Sequence, residues 1–507
     1  MKFRIEKDSL GEKNVPAEVY YGIQTQRAVE NYPISGYRAH PKLIKAMGLI
    51  KKAAALANQE LGLLDEKRAA AIVQAAEEVM AGKLNDQFVV DVYQAGAGVS
   101  FHMNTNEVIA NRAIEILGGR RGDYAVCHPN DHVNFGQSTN DVIPTAMRLA
   151  SILLMEDLVP EMERLHDALA AKGKEFDPIL KSGRTHMMDA VPIRLGQEFA
   201  AYAKAVERAT QQVRHGQDGL RELGLGGSAV GTGVNTHPDY QALVVRRLSE
   251  VSGQELTPTS DMRWAMQSNL PMAVASSSLR NYALELIRIS NDLRLLSSGP
   301  NTGLAEIILP ALQPGSSIMP GKINPVIPEL TAMVSFQVVG NDIATAMAVQ
   351  AGQLELNVMM PTMAWNTLHA AEILKNTTHQ LAVMCVEGIT ANKQRCKHYA
   401  EATVSLATAL NPYIGYAKTA EIVKQAVKTG RTITELALEK KLLDGKQLRK
   451  ILDPKRMTEP APPIKEAIAA KKNEKAAAVV VNPAKVSARK PAKTVASKSR
   501  GGKGRRR

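Results

Sequence analysis

Between residues 279 and 296, Leu279, Tyr282, Leu286, Ile289, Leu293 and Leu296 recur at spacings of three and four. That period predicts a helix. A second apolar stripe, Leu284, Ile287 and Leu295, runs beside the first. A helix apolar on two faces has to be buried between other helices. Leu195, Phe199, Tyr202 and Val206 repeat the pattern over 192–208, after Pro192. Similar patterns cover about 42–61, 66–82, 141–172, 326–349 and 366–388, while residues 1–40 read as irregular. Apolar residues make up 45% of the 507 and aromatics only 4%, which suits packed helices better than a β-sandwich. The fold class predicted is mainly α, a bundle of long helices with room for two or three domains.

One stretch interrupts this pattern sharply. Gly315-Ser316-Ser317-Ile318-Met319-Pro320-Gly321-Lys322-Ile323-Asn324-Pro325 lies between long helical segments. Its glycines reach backbone conformations closed to other residues, and its prolines break helix and strand. Successive backbone N–H groups in such a loop can form an anion-binding nest. Lys322 adds positive charge, and Asn324 a donor and an acceptor. Ser316 and Ser317 become reactive only where an alkoxide is stabilised. The residue types fit a loop that holds a carboxylate beside a reactive serine. They also fit a flexible linker.

The string from Gly315 to Pro325 resembles the signature of the aspartase/fumarase superfamily, whose members cleave a C–N or C–O bond beta to a carboxylate and release fumarate or a relative. The resemblance covers roughly residues 1–460. It implies a three-domain fold with a tetrameric core of long helices: an N-terminal domain over 1–140, a helix bundle over 141–394 and a small C-terminal domain over 395–460.

Further blocks carry the resemblance. Gln94 to Glu107 is similar to the pattern G-x-G-T-S-x-N-M-N-x-N-E, with two departures. Val99 stands where the family has a threonine whose hydroxyl helps bind a substrate carboxylate, and His102 stands where it has asparagine; Ser100 matches. A His102 imidazole could replace the missing donor. Gly136 to Asp141 offers Ser138, Thr139 and Asn140; alone these read as a helix N-cap, and the resemblance places all three in the substrate site. Gly183-Arg184-Thr185-His186, next to a predicted helix start, gives Thr185 and His186 contacts to a carboxylate and the departing group. Glu329 matches a carboxylate that pairs with this histidine. His128 to Asp131 resembles a motif lining a secondary anion site, and equally a Pro/Asn/Asp turn. Gly224 to Gly233 suggests a dinucleotide loop only superficially, since no apolar strand precedes it; it resembles instead a glycine-rich loop of the family that shapes the active-site wall.

The implied chemistry is removal of a C3 proton by Ser316 as an alkoxide. Ser138, Thr139 and the N–H groups of 315–321 would meet the aci-carboxylate that forms. Ser317, Lys322 and Asn324 would hold the substrate. Lys322 through Glu329 is similar to the aspartase branch, so L-aspartate going to fumarate and ammonia is the expected reaction. Fumarate hydratase is the alternative, and a non-catalytic scaffold working through its tail is a third reading. No cofactor and no metal are expected. The partners implied are a small dicarboxylate and three further copies of the chain, with each site shared among three subunits.

The net charge of +13 belongs to one end. Residues 461–507 hold 14 Lys+Arg against 2 Asp+Glu and no aromatic residue. This composition predicts disorder and at most weak polyanion binding. Cys127, Cys385 and Cys396 form no C-x-x-C and read as buried, reduced thiols of a cytoplasmic protein. The N-terminus lacks a signal-peptide core, and no stretch reads as a bilayer span of roughly 20 apolar residues.

Overall fold

The structure is a computed structural model that describes residues 2–464. Most of the basic segment at 461–507 therefore lies outside the described residues. The chain forms two compact units. The first runs up to Lys181 and takes up again at Arg194–His398; the second comprises Ser182–Ile193 and the chain from Tyr399 on.

The first unit opens with a hairpin, β1 (Phe3–Asp8) and β2 (Gly11–Pro16), followed by α1 (Ile23–Asn31). The sequence read as irregular here. What orders it is a set of distant polar contacts that local periodicity does not encode. The Arg4 guanidinium ties together the carbonyls of Pro16, Val19 and Tyr21. Buried Glu107 caps α1, accepting from the N–H groups of Gly22, Gln24 and Thr25 at 2.8–3.1 Å and from the Thr25 hydroxyl at 2.6 Å.

Then come α2 (Pro41–Glu60), α3 (Glu66–Met80) and α4 (Val99–Ile116). The 38-residue α5 (Thr139–Phe176) follows. After β3 (Leu180–Thr185) and β4 (Met188–Arg194) come α6 (Leu195–Asp218), α7 (Tyr240–Ser252) and α8 (Met262–Gln267). Three long helices complete the bundle: α9 (Leu270–Leu296), α10 (Val326–Gln350) and α11 (Met360–Met384). Helix α5 packs on α6 and α11, α9 on α6 and α10, and α10 on α11. One continuous core takes in α2 through α7, α9 and α11. Every residue of the first 279–296 stripe is buried in it. The second stripe is not: Leu284 is 49% exposed, and Ile287 and Leu295 are half-buried.

Helix α10 is amphipathic the wrong way round for a lone protomer. Its inward face is mostly small and polar, with Thr331, Ser335, Asn341, Asp342 and Thr345 buried. Its outward face carries Met333, Phe336, Ile343 and Met347, each 58–60% exposed. By length and mean hydropathy alone α10 passes for a membrane span, although Glu329, Gln337, Asn341 and Asp342 interrupt its apolar residues. Its buried side belongs to a bundle, however: Asp342 accepts from the Ser276 hydroxyl at 2.7 Å and pairs with Arg280.

Helix α12 (Lys393–Ala402) leads into the second unit, which continues with α13 (Asn411–Ile414), α14 (Tyr416–Thr429), α15 (Ile433–Glu439) and α16 (Gly445–Ile451). Leu410, Ile422, Leu436 and Leu448 centre its own small core, and Ile464 joins it. The β3–β4 hairpin is tied into this unit by the Thr403 hydroxyl on the Ala190 carbonyl and the Ser405 hydroxyl on that of Asp189, both 3.1 Å.

Candidate active site

Helix α4 starts at Val99 because Gly98 takes a left-handed conformation, φ 93°, with Ile143 packed so close that an added Cβ would lie 3.1 Å from it. Val99 is 42% exposed, so the first turn presents a methyl surface where a hydroxyl was expected. One turn on, His102 is buried, and both ring nitrogens are engaged: Nδ1 lies 2.8 Å from Thr139 Oγ1, and Nε2 2.7 Å from Lys51 Nζ. His102 therefore does not itself present a donor in place of the missing threonine. Burial, then the adjacent Lys51, push its imidazole well below the ordinary value, so the ring is neutral.

Lys51 was not legible as a site residue. It sits on the buried face of α2, at the spacing Met47, Lys51, Ala54, Asn58. A lysine on that stripe is the signal the sequence offered. Its Nζ also donates to Asn134 Oδ1 at 3.0 Å and Gln137 Oε1 at 2.8 Å.

Ser138 is the N-cap of α5. Its hydroxyl accepts from the Asn140 N–H, while Asp141 accepts from the Ser138 N–H at 3.0 Å, a capping box. The other Asp141 oxygen accepts from the N–H groups of Gly226 and Ser228 at 3.1 and 3.0 Å. The glycine-rich 224–233 loop thus wraps a buried carboxylate, and Asn140 Nδ2 donates to Ala229 O at 2.8 Å. Ser138, Thr139 and Asn140 sit side by side, with His102 behind Thr139. Burial raises the Asp141 carboxyl to about 6, against the pull of its donors.

In the loop ahead of α10, Ser316 Oγ accepts from two backbone N–H groups, Met319 at 3.0 Å and Ile318 at 3.3 Å. Those donors favour the alkoxide over the hydroxyl. Ser317 is exposed beside it. Lys322 Nζ donates to Asn324 Oδ1, and Lys322 O accepts from the Gly315 N–H at 2.7 Å. Glu329 lies in the first turn of α10.

Thr185 and His186 belong to the second unit. They lie at the tip of the β3–β4 hairpin, not beside a helix start; α6 begins only at Leu195. The two residues between the strands, His186 and Met187, have φ of 54° and 62°. This is the left-handed pair of a tight hairpin turn. It is an unfavourable conformation for residues with a Cβ, and such turns persist where surrounding structure holds them. Thr185 and His186 are both exposed. His128 caps a single wide turn over Pro129–Val133, its ring accepting from the Asn130 and Asp131 N–H groups at 3.2 Å each. The turn reading accounts for that motif's geometry.

The sequence model of the family described as Lyase matches residues 11–340, and that described as Fumarase C C-terminus matches 406–459. The chain belongs to this lyase family. It is 48% identical over 459 residues to an aspartate ammonia-lyase of Bacillus subtilis, covering 90% of this chain and 97% of the relative. It is also 50% identical over 457 residues to a class II fumarate hydratase of Halobacterium salinarum, covering 90% and 97%. Among solved structures, a fumarate lyase:delta crystallin from Brucella melitensis superimposes with a TM-score of 0.88 at 49% identity, covering 90% of this chain and all of that one.

Proposed function

We propose that the chain eliminates ammonia from L-aspartate, reversibly, to give fumarate. The observation that carries this is the Ser316 hydroxyl, held by the Ile318 and Met319 N–H groups in a loop that also bears Lys322 and Asn324. A C3 proton beside a carboxylate is weakly acidic, and its loss leaves a dianionic aci-carboxylate. Ser316 takes the proton as an alkoxide. Ser138, Thr139 and the loop N–H groups meet the charge where it develops. Lys322 and Asn324, with Ser317, hold the other carboxylate and fix the orientation. Thr185 and His186 contact a carboxylate and the departing amine, Glu329 serving as the histidine's partner. Ser100 and Asn140 complete the contacts, and Val99 contributes shape without a hydrogen bond.

The working form is a homotetramer whose sites each draw on three subunits. The outward face of α10 and the half-open second stripe of α9 supply the apolar surface such an assembly needs. Release of fumarate from L-aspartate, followed by its absorbance, tests the reading. L-malate in place of L-aspartate tests the hydratase alternative, which the Halobacterium relative favours. Faster fumarate formation from malate than from aspartate would overturn the aspartate assignment.

A further inference from the structure

We propose that Lys51 and His102 are positioning residues that turn the Thr139 hydroxyl proton outward, so that it is donated to a carboxylate of the substrate. The inference deepens the reading of Thr139 as a substrate contact and rests on it.

Lys51 Nζ faces three acceptor positions: Asn134 Oδ1, Gln137 Oε1 and His102 Nε2. The two amides cannot turn round without loss, because Asn134 Nδ2 donates to the Gln137 carbonyl, and Gln137 Nε2 to those of Val133 and Phe135. Their oxygens therefore point at Lys51. An ammonium has three protons for three acceptors. When Lys51 is charged, His102 Nε2 accepts, so the neutral ring carries its proton on Nδ1. That proton is donated to Thr139 Oγ1, 2.8 Å away. The threonine's own proton is then left for the substrate.

If Lys51 loses a proton, it keeps its two amide bonds and its lone pair faces His102. The ring then carries its proton on Nε2, and Nδ1 becomes an acceptor. The Thr139 proton is drawn inward, and the oxygen turned to the substrate presents only lone pairs to an anion. One proton on Lys51 thus sets the polarity of a hydroxyl two hydrogen bonds away.

The titratable groups around Lys51 fit this role. Burial pushes its ammonium well below the ordinary value, and Asp141 on α5 opposes that fall. His102 faces it from α4. Tyr240 on α7 stays neutral beside Asp141, since burial and that carboxylate hold its phenol well above the ordinary range. A bound dianion adds negative charge and favours the charged lysine, so binding and protonation of Lys51 reinforce each other.

The test uses the full-length protein and succinate, a dicarboxylate with no leaving group that stays dianionic from about pH 7 upward. Its Ki against fumarate formation from L-aspartate is measured over about pH 7–10 for wild type and for Lys51→Met, His102→Leu, His102→Asn and Thr139→Val. For wild type, Ki is expected to rise with pH through one titration by about tenfold or more, the worth of one hydrogen bond to a charge. Lys51→Met is expected to begin about tenfold weaker at pH 7 and to show a flat profile, because the orphaned Asn134 and Gln137 oxygens draw the ring proton to Nε2 and leave Nδ1 to accept from Thr139. His102→Leu, which offers Thr139 no inward acceptor, is expected to be flat too, and His102→Asn, whose amide can accept from Lys51 and donate to Thr139, keeps tight binding at pH 7. Thr139→Val is flat as well. If Lys51→Met does not fold, the His102 pair and Thr139→Val decide. A flat wild-type profile, or a pH profile that survives in His102→Leu or in Thr139→Val, overturns the proposal. Failure of wild type to form fumarate is seen before any variant is made, and overturns the functional reading instead.

Discussion

Asn324 Nδ2 donates to the carbonyl of Gly315 at 2.7 Å, so the two ends of the loop bearing Ser316 are pinned to each other. The Gly315 N–H, donated to Lys322 O, doubles the clasp. A Cβ on Gly315 would stand 2.6 Å from Lys322 O and 2.8 Å from the Asn324 nitrogen. Both are backbone atoms and cannot swing aside. Gly315→Ala is therefore expected to spring the clasp and cut kcat by about a hundredfold or more, as misplacement of a reacting group by about 1 Å does. The far-ultraviolet circular dichroism should be unchanged. Near-normal kcat in this variant would show that the clasp does not set the position of Ser316.

Ser316→Ala is expected to lower turnover by at least about 10²–10⁴-fold, the usual loss on removing a general base. Size-exclusion chromatography should show the same elution as wild type. More than about a tenth of wild-type turnover would mean that another group takes the proton.

Val99→Thr is expected to lower KM for L-aspartate. A hydrogen bond to a charged group is worth about 1.5–3 kcal/mol, or about 10- to 150-fold. His102 cannot already supply that contact directly, because both its ring nitrogens are bonded within the protein. An unchanged KM would remove position 99 from the substrate site.

Lys181, buried among the strands and helices, lies 2.8 Å from Glu198 Oε1 and 3.1 Å from Glu306 Oε2. Lys181→Met takes the shared cation from buried Glu306 and half-buried Glu198 and is expected to cost about 3–5 kcal/mol in urea denaturation near neutral pH. Burial already raises the Glu198 carboxyl, and Lys181 restrains that rise. Without the lysine, the folded variant binds protons that the unfolded chain does not. Its stability therefore increases as pH falls from about 8 to 5, and the deficit against wild type shrinks. A deficit that grows on acidification would contradict the assignment.

The sequence carried the long helices well, because a buried stripe repeats over many turns. The 192–208 pattern became α6 with Leu195, Phe199, Tyr202 and Val206 all buried, and the 326–349 pattern became α10. It carried the opening segment poorly. There the hairpin and α1 depend on Arg4 and Glu107, a side chain and a distant carboxylate that no local period reports. In the site, the Ser316 loop and the Ser138 cap were readable, since glycine, proline and hydroxyl residues announce their own backbone geometry. Lys51 was hidden because a charged residue inside an apolar stripe gains meaning only once its three acceptors are seen. His186 was placed beside a helix because the left-handed pair at the hairpin tip has no glycine to mark it.

The outward apolar face of α10 sets a further expectation, for dilution. In the proposed homotetramer, cover of Met333, Phe336, Ile343 and Met347 would couple folding to subunit concentration, so the thermal midpoint should climb as protein is added. Phe336→Asp should yield smaller species by size-exclusion chromatography, without turnover. On the proposed tetramer, a cell making this chain slowly would hold each new protomer with a greasy flank in water until further copies arrive. The rate of synthesis would then set how long that flank stays in water.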